Sequence, residues 1–232
     1  MAKKEKAVSL GRLKLKKFMS CTLYVIRHAE SEWNPIGRYQ GLLNPNLSER
    51  GEKQAKILAE SLKGKGIKVV YTSPLLRTKR TAEMIAITLN VPLIEDKRII
   101  EIDHGIWSGK LVKEVKKEFP EMFETWLKEP WKVNFPEGEN LMEVYKRVKD
   151  FVEDIKRKHK SETVAVVSHT VPIRALYCAA LNLPIEYFWS FGCDNASYSI
   201  LKFEEDRTTL HKLNITEHLE REGLYEEAHR AL

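Results

Sequence analysis

Three times along the 232-residue chain, a run of unbroken apolar residues stops abruptly at basic or imidazole side chains. Tyr24-Val25-Ile26 runs into Arg27-His28. Val69-Val70-Tyr71 is followed by Thr72-Ser73-Pro74 and then Arg77. Val164-Ala165-Val166-Val167 ends at Ser168-His169. Strands that are apolar throughout, without alternation, are buried on both faces, which requires a mostly parallel sheet with helices on each side. The polar segments between them supply those helices. Ser48 caps one that runs to about Ser61, with Ala55, Ile57 and Leu58 at helical spacing, Leu62 just beyond, and Gly64 and Gly66 closing it. Ser73-Pro74 opens another, ending near Leu89. Leu141 to about His159 puts Val144, Val148, Phe151, Val152 and Ile155 on one face and lysines opposite. A further helix follows His169 through Leu181. A short strand is expected at Pro92–Ile94, and Tyr198–Phe203 with Thr208–Leu213 reads as an edge hairpin turning at Glu204–Arg207. The fold class is therefore α/β, a three-layer α/β/α sandwich. Lys110–Lys128 reads as two helical pieces broken by Pro120; with Phe119, Met122, Phe123, Trp126 and Trp131, it predicts a helical cap insertion around 110–135. Most of those aromatics are expected to pack in the core, the others to face the substrate channel.

Strands of this kind deliver Arg27, His28, Arg77 and His169 to one carboxyl edge of the sheet, where open α/β folds bind ligands. Two arginine forks, two imidazoles and adjacent helix N-termini form a cage for a dianion such as a phosphoryl group. A metal site is the rival arrangement. It calls for carboxylate or thiolate company, whereas the neighbours here are cations that repel a divalent ion. The strong nucleophile left in the cage is an imidazole, which implies phosphoryl transfer through a phosphohistidine. An alkoxide leaving phosphorus needs a proton, and Glu101, flanked by Ile100 and Ile102, has the apolar setting that favours a neutral acid. Glu101 serves equally as an ordinary turn residue or ion-pair partner at this level.

The net charge of +6 suggests nucleic acid until it is located. Residues 1–20 hold seven Lys/Arg and one acidic residue; the rest of the chain has 32 of each sign. The expectation is a basic, disordered N-terminal extension over 1–20, with Met19 as an alternative start, and one domain over 21–232 with a tail at 215–232. The tail alternates charge with Leu219, Leu224, Tyr225, Ala228 and Leu232, as a docked amphipathic segment does. No apolar stretch is long enough to span a bilayer. Cys21, Cys178 and Cys193 are odd in number and lack zinc spacing, so reduced thiols and a cytoplasmic location follow.

The motifs carry a resemblance. Arg27-His28-Ala29-Glu30-Ser31, Trp33-Asn34, Gly37-Arg38, Gln40-Gly41 and Leu47-Ser48 before Gly51 resemble the opening blocks of histidine phosphatases of the phosphoglycerate mutase-like superfamily. Ser73-Pro74-Leu75-Leu76-Arg77-Thr78, Glu101 with Gly105-Ile106-Trp107, Pro136-Glu137-Gly138-Glu139-Asn140 and Ser168-His169 follow in the same order. The resemblance implies His28 as nucleophile and Glu101 as proton donor, with Arg27, Arg77, His169 and Asn34 holding the phosphoryl group. Ala29 and Thr170 stand where the superfamily usually has Gly, both beside the expected phosphate pocket. The short connection after Glu101 departs from the cofactor-dependent mutases and favours water as acceptor. The acid loop Ile99–Gly105 and the stretch Phe188–Tyr198 are most similar to bacterial metal-independent phosphoserine phosphatases. That likeness implies hydrolysis of L-phosphoserine in serine biosynthesis, with Gln40, Gly41, His104 and Thr170 completing the substrate site and His104 pairing with a substrate carboxylate. It implies no cofactor and no metal, a small phosphomonoester as partner, no nucleic acid or membrane, and a homodimer. Mutase activity, a broad-specificity sugar-phosphate or α-ribazole-type phosphatase, and a catalytically weak regulatory subunit are the alternatives.

Overall fold

In the computed structural model, which describes residues 20–227, one six-stranded sheet forms the middle layer, in the order β3-β2-β4-β1-β5-β6. The strands are β1 (Cys21–Arg27), β2 (Ile67–Thr72), β3 (Leu93–Glu95), β4 (Thr163–Ser168), β5 (Tyr198–Phe203) and β6 (Thr208–Ile215). β3, β2, β4 and β1 pair in parallel, while β5 and β6 add antiparallel, so the mostly parallel expectation holds. The three apolar runs occupy adjacent central strands, β2, β4 and β1, which is why they carry no polar alternation.

The helices are α1 (Glu49–Ser61), α2 (Leu76–Leu89), α3 (Val112–Glu118), α4 (Pro120–Lys128), α5 (Leu141–Lys158), α6 (Thr170–Leu181) and the one-turn α7 (Glu217–Glu220). α1, α2 and α7 cover one face, where Leu58, Ile85 and Leu219 meet Ile26, Val70 and Val167. α5, α6 and the cap cover the other, where Val148, Phe151 and Leu176 meet Val25, Val69 and Val166. Alternate residues of each strand thus feed opposite cores, and the sandwich has its three layers. Pro120 divides the cap into α3 and α4, standing at the first position of α4 where its missing N–H costs nothing.

Three boundaries differ from the sequence reading. α2 starts at Leu76 rather than Pro74, and its cap residue Leu75 has no side-chain cap bond. Asn44 Oδ1 accepts from Leu76 N instead, and Ser73 is engaged elsewhere, as shown below. β6 continues to Ile215, two residues beyond the alternating stretch, where Ile215 still pairs with Tyr198. Among its described residues the tail is helical only over Glu217–Glu220. Beyond that, Gln54 Nε2 and Arg50 Nη2 donate to the Leu224 carbonyl, and Arg50 also pairs with Glu226. The expected N-terminal extension through residue 19, with Ala228 and Leu232 of the tail, lies outside the described residues. Among the described residues no helix is long and apolar enough to cross a membrane. Cys21, Cys178 and Cys193 are all buried with free thiols.

Candidate active site

β1 and β4 run side by side with Arg27 opposite Ser168, so the residues just after them meet. The His28 and His169 rings lie 5.3 Å apart between centroids. A cleft opens here, lined by Arg27, His28, Asn34, Gln40, Gly41, Arg77, Glu101, His104 and Thr170. Nine of the ten site residues read from the sequence thus share one cleft. The tenth, His169, is fully buried behind the wall, with Nε2 2.8 Å from Ser73 Oγ. Ser73 Oγ also accepts from Leu75 N at 3.3 Å.

The hydrogen bonds of His28 fix its chemistry. Its Nδ1 is 2.7 Å from the Ala29 carbonyl oxygen, a contact that requires the proton on Nδ1 and leaves Nε2 as an unprotonated lone pair. Burial, reinforced by the Arg77 and Arg27 guanidiniums, holds the imidazole well below its ordinary range, against the Ala29 carbonyl. Burial and Arg77 do the same to His169. Both rings are neutral at pH 7.

The two arginines are held by main-chain carbonyls. Arg27 Nη1 donates to Cys193 O at 2.7 Å; Arg77 donates from Nη1 to Leu43 O at 2.9 Å and from Nη2 to Gly41 O at 3.0 Å. Carbonyl partners orient a guanidinium without cancelling its charge, and the Nε atoms of both are buried with no partner. Burial pushes Arg77 down to about 10, so it stays a cation at neutral pH. Asn34 Oδ1 accepts from Ser31 N at 2.8 Å, and the one hydroxyl hydrogen of Ser31 is within reach of either Asn34 Oδ1, at 2.9 Å, or Gln40 Oε1, at 3.0 Å. With its oxygen held by the Ser31 N–H, the NH₂ end of Asn34 remains for a ligand. α6 begins at Thr170, and Thr170 and Val171 both line the cleft, so its first amides add positive potential there.

Glu101 lines the same cleft. Burial raises its carboxyl above the usual range, opposed by Arg77. Its Oε1 accepts only from the adjacent Ile102 N, at 2.9 Å. His104 is buried among Tyr39, Phe135 and Trp126, with ring centroids 5.0, 5.1 and 6.0 Å away. Burial pushes it down to about 3, so it is a neutral imidazole, and its Nδ1 has no partner. In these surroundings His104 is a neutral hydrogen-bonding group.

Sequence reasoning gave no role to a further cation of the cleft. Arg38 lines the cleft, with Nη1 donating to Gly109 O at 2.6 Å and its guanidinium 5.4 Å from the Trp33 ring. It stood in the Gly37-Arg38 motif without a function assigned. Trp126 and Trp189 also line the cleft, whereas Phe123 of the same cap segment faces the core. Among the described residues no group of three or more His, Cys, Asp or Glu is placed to hold a metal ion.

Comparison with known proteins gives a consistent picture. Residues 23–216 match the family model described as "Histidine phosphatase superfamily (branch 1)". The chain is 57% identical over 210 residues to phosphoserine phosphatase 1 of Hydrogenobacter thermophilus, covering 90% of this chain and 99% of that protein. Among solved structures, YhfR of Bacillus stearothermophilus superposes with a TM-score of 0.81 at 29% identity, over 86% of this chain and 99% of that one. A mutant phosphoserine phosphatase from Entamoeba histolytica, in complex with phosphoserine, gives 0.75 at 27% identity over 86% and 99%.

Proposed function

This chain belongs to the histidine phosphatase superfamily, and we propose that it hydrolyses L-phosphoserine to L-serine and phosphate, as a serine-forming enzyme, through a phosphoryl group carried on His28. The observation that carries this reading is the His28–Ala29 hydrogen bond, which leaves Nε2 unprotonated inside a cage of two arginines. The phosphate dianion binds between Arg27, Arg77, the Asn34 amide and the first amides of α6, with His169 behind the wall, its ring 5.3 Å from that of His28. Nε2 attacks phosphorus as the bond to the serine oxygen breaks, and Glu101 protonates that oxygen. Glu101, now a carboxylate, takes a proton from water; the water oxygen attacks phosphorus, freeing His28 and inorganic phosphate. No step calls for a metal. The expected result is hydrolysis of phosphoserine at an undiminished rate in excess EDTA, assayed beside sugar phosphates, α-ribazole phosphate and 3-phosphoglycerate. Rapid turnover of one of those with phosphoserine untouched would overturn the substrate and leave the chemistry standing. The close identity to a protein named phosphoserine phosphatase supports the choice. A homodimeric, cytoplasmic state belongs to the same reading and is checked by sedimentation velocity and cell fractionation.

Arg38 is assigned to the substrate carboxylate, with neutral His104 adding one hydrogen bond. Charge-assisted hydrogen bonds of this kind contribute about 1.5–3 kcal/mol, or roughly ten- to a hundredfold in binding. Arg38→Met should raise KM for phosphoserine by about that factor. Phosphoethanolamine, which lacks the carboxylate, should change by less than about threefold. Equal losses on the two substrates would remove the assignment.

A further inference from the structure

The proton donor of this site stands on no regular element. Glu101 lies in an irregular stretch between two single 3-10 turns, Lys97–Ile99 and Gly105–Trp107. Its side chain bonds only to its own neighbour. A general acid has to hold its pose within a fraction of an ångström, and a loop of this kind does not supply that by itself.

The support comes from α5. Arg147, two turns into that helix, reaches under the loop and donates from Nη1 to the carbonyls of Arg98 at 2.8 Å and Ile100 at 2.6 Å. Nη2 donates to the carbonyl of Glu101 itself at 3.2 Å. The remaining edge of the guanidinium pairs with both oxygens of Glu139, at 2.8 and 2.9 Å. Three donor contacts from one side chain tie three of four consecutive carbonyls to one helix, and the two to the bidentate carboxylate prevent the fork from rotating.

Glu139 also binds the acid loop through its own backbone, its N–H donating to Asp103 O at 2.9 Å. The fit between the two segments is close. A Cβ on Gly138 would stand 2.4 Å from Asp103 O, and one on Gly105 would stand 1.9 Å from Pro136 O. Asn140 then starts α5 with a reciprocal cap, its Oδ1 accepting from Glu143 N at 3.0 Å. The stretch Pro136–Asn140, recognisable in the sequence but without a role there, joins the acid loop to the helix that carries Arg147.

We propose that Arg147, oriented by Glu139, is a positioning residue for proton donation: it fixes the main chain at Glu101 so that the carboxyl meets the leaving oxygen. The inference rests on the reading of Glu101 as the general acid. The test compares kcat/KM for phosphoserine, whose alkoxide needs a proton, with that for 4-nitrophenyl phosphate, whose phenolate leaves without one. Arg147→Met should lower the phosphoserine value by roughly ten- to a hundredfold, as misplacement by about an ångström does. The aryl value should fall by less than about threefold, with Arg147→Lys intermediate on phosphoserine alone. Equal losses on both substrates would overturn the proposal, because a purely structural defect does not discriminate by leaving group. Glu139→Gln decides the matter if Arg147→Met does not fold: it keeps the carbonyl contacts, weakens the orientation, and should shift the ratio in the same direction. An unchanged ratio in that variant would also overturn the proposal. Glu101→Gln is measured alongside. If it shows the leaving-group effect and the Arg147 and Glu139 variants do not, only the positioning role falls; if it slows both substrates equally, the acid assignment falls and the positioning role with it.

Discussion

Replacing His28 with Ala is expected to reduce turnover by at least about ten-thousandfold, because removing the nucleophile from residues that act as a unit removes the whole pathway. Nothing nearby replaces it. His169 is fully buried, engaged with Ser73 and outside the cleft wall. Cys193 offers only its carbonyl, to Arg27, while burial holds its thiol at about 11. The covalent step makes a second, independent prediction. Wild-type enzyme quenched in alkali during turnover should hold phosphorus from the substrate on the protein, stable in base and lost in acid, as a phosphoramidate is. His28→Ala should hold none. A variant that keeps turnover within tenfold of wild type would eliminate the phosphohistidine route.

His28 was legible in the sequence because its position is a topological fact. An apolar strand that stops at Arg-His, beside another that stops at Ser-His, must place both pairs at one sheet edge once the strands are parallel neighbours. The sandwich and its two-faced core followed from the same unbroken apolar runs. Boundaries were legible where the local cap formed. Ser48 caps α1 as its position suggests, accepting from Gly51 N at 2.9 Å while its hydroxyl donates to Glu30 Oε1 at 2.6 Å. Ser73 has the same chemistry, yet α2 starts only at Leu76, and the Ser73 hydroxyl lies 2.8 Å from Nε2 of His169, which follows a strand almost a hundred residues later. Local patterns cannot anticipate a partner that tertiary structure supplies.

The rest of the site was hidden for related reasons. Arg38 sits in a polar loop where arginine is unremarkable, and only the fold brings it into one cleft with His104. Trp126 and Phe123 are both buried aromatics of α4, and only the fold tells which of them meets the cleft. Arg147 is further from recognition still, since its helical face reads as solvated charge and the loop it holds lies more than forty residues upstream. What sequence periodicity reveals is which face of an element is buried. It does not reveal which polar residue crosses to a neighbouring loop.

Glu101 provides the sharpest test of mechanism, since its proposed role predicts both a leaving-group effect and a change in pH profile. Glu101→Gln keeps the shape and an N–H donor but cannot release a proton. It should lower kcat/KM for phosphoserine by at least about a hundredfold, the usual contribution of a positioned acid. With 4-nitrophenyl phosphate the first step needs no acid, so kcat/KM should change by less than about threefold. The second step still needs Glu101 as base. That substrate should therefore give a burst of nitrophenolate followed by slow turnover, as phosphoenzyme accumulates. For the pH profile, burial raises the Glu101 pKa, so the protonated acid is present below that raised value and is lost as pH climbs through it. Burial and the arginines lower the His28 pKa, so the neutral nucleophile is present above that lowered value and is lost as pH falls through it. Wild-type kcat/KM for phosphoserine should accordingly be bell-shaped, with the basic limb belonging to Glu101 and the acidic limb to His28. Glu101→Gln should erase the basic limb and leave the acidic one. Survival of the basic limb would mean that another group delivers the proton, and equal slowing of the two substrates would reduce Glu101 to a structural part of its loop.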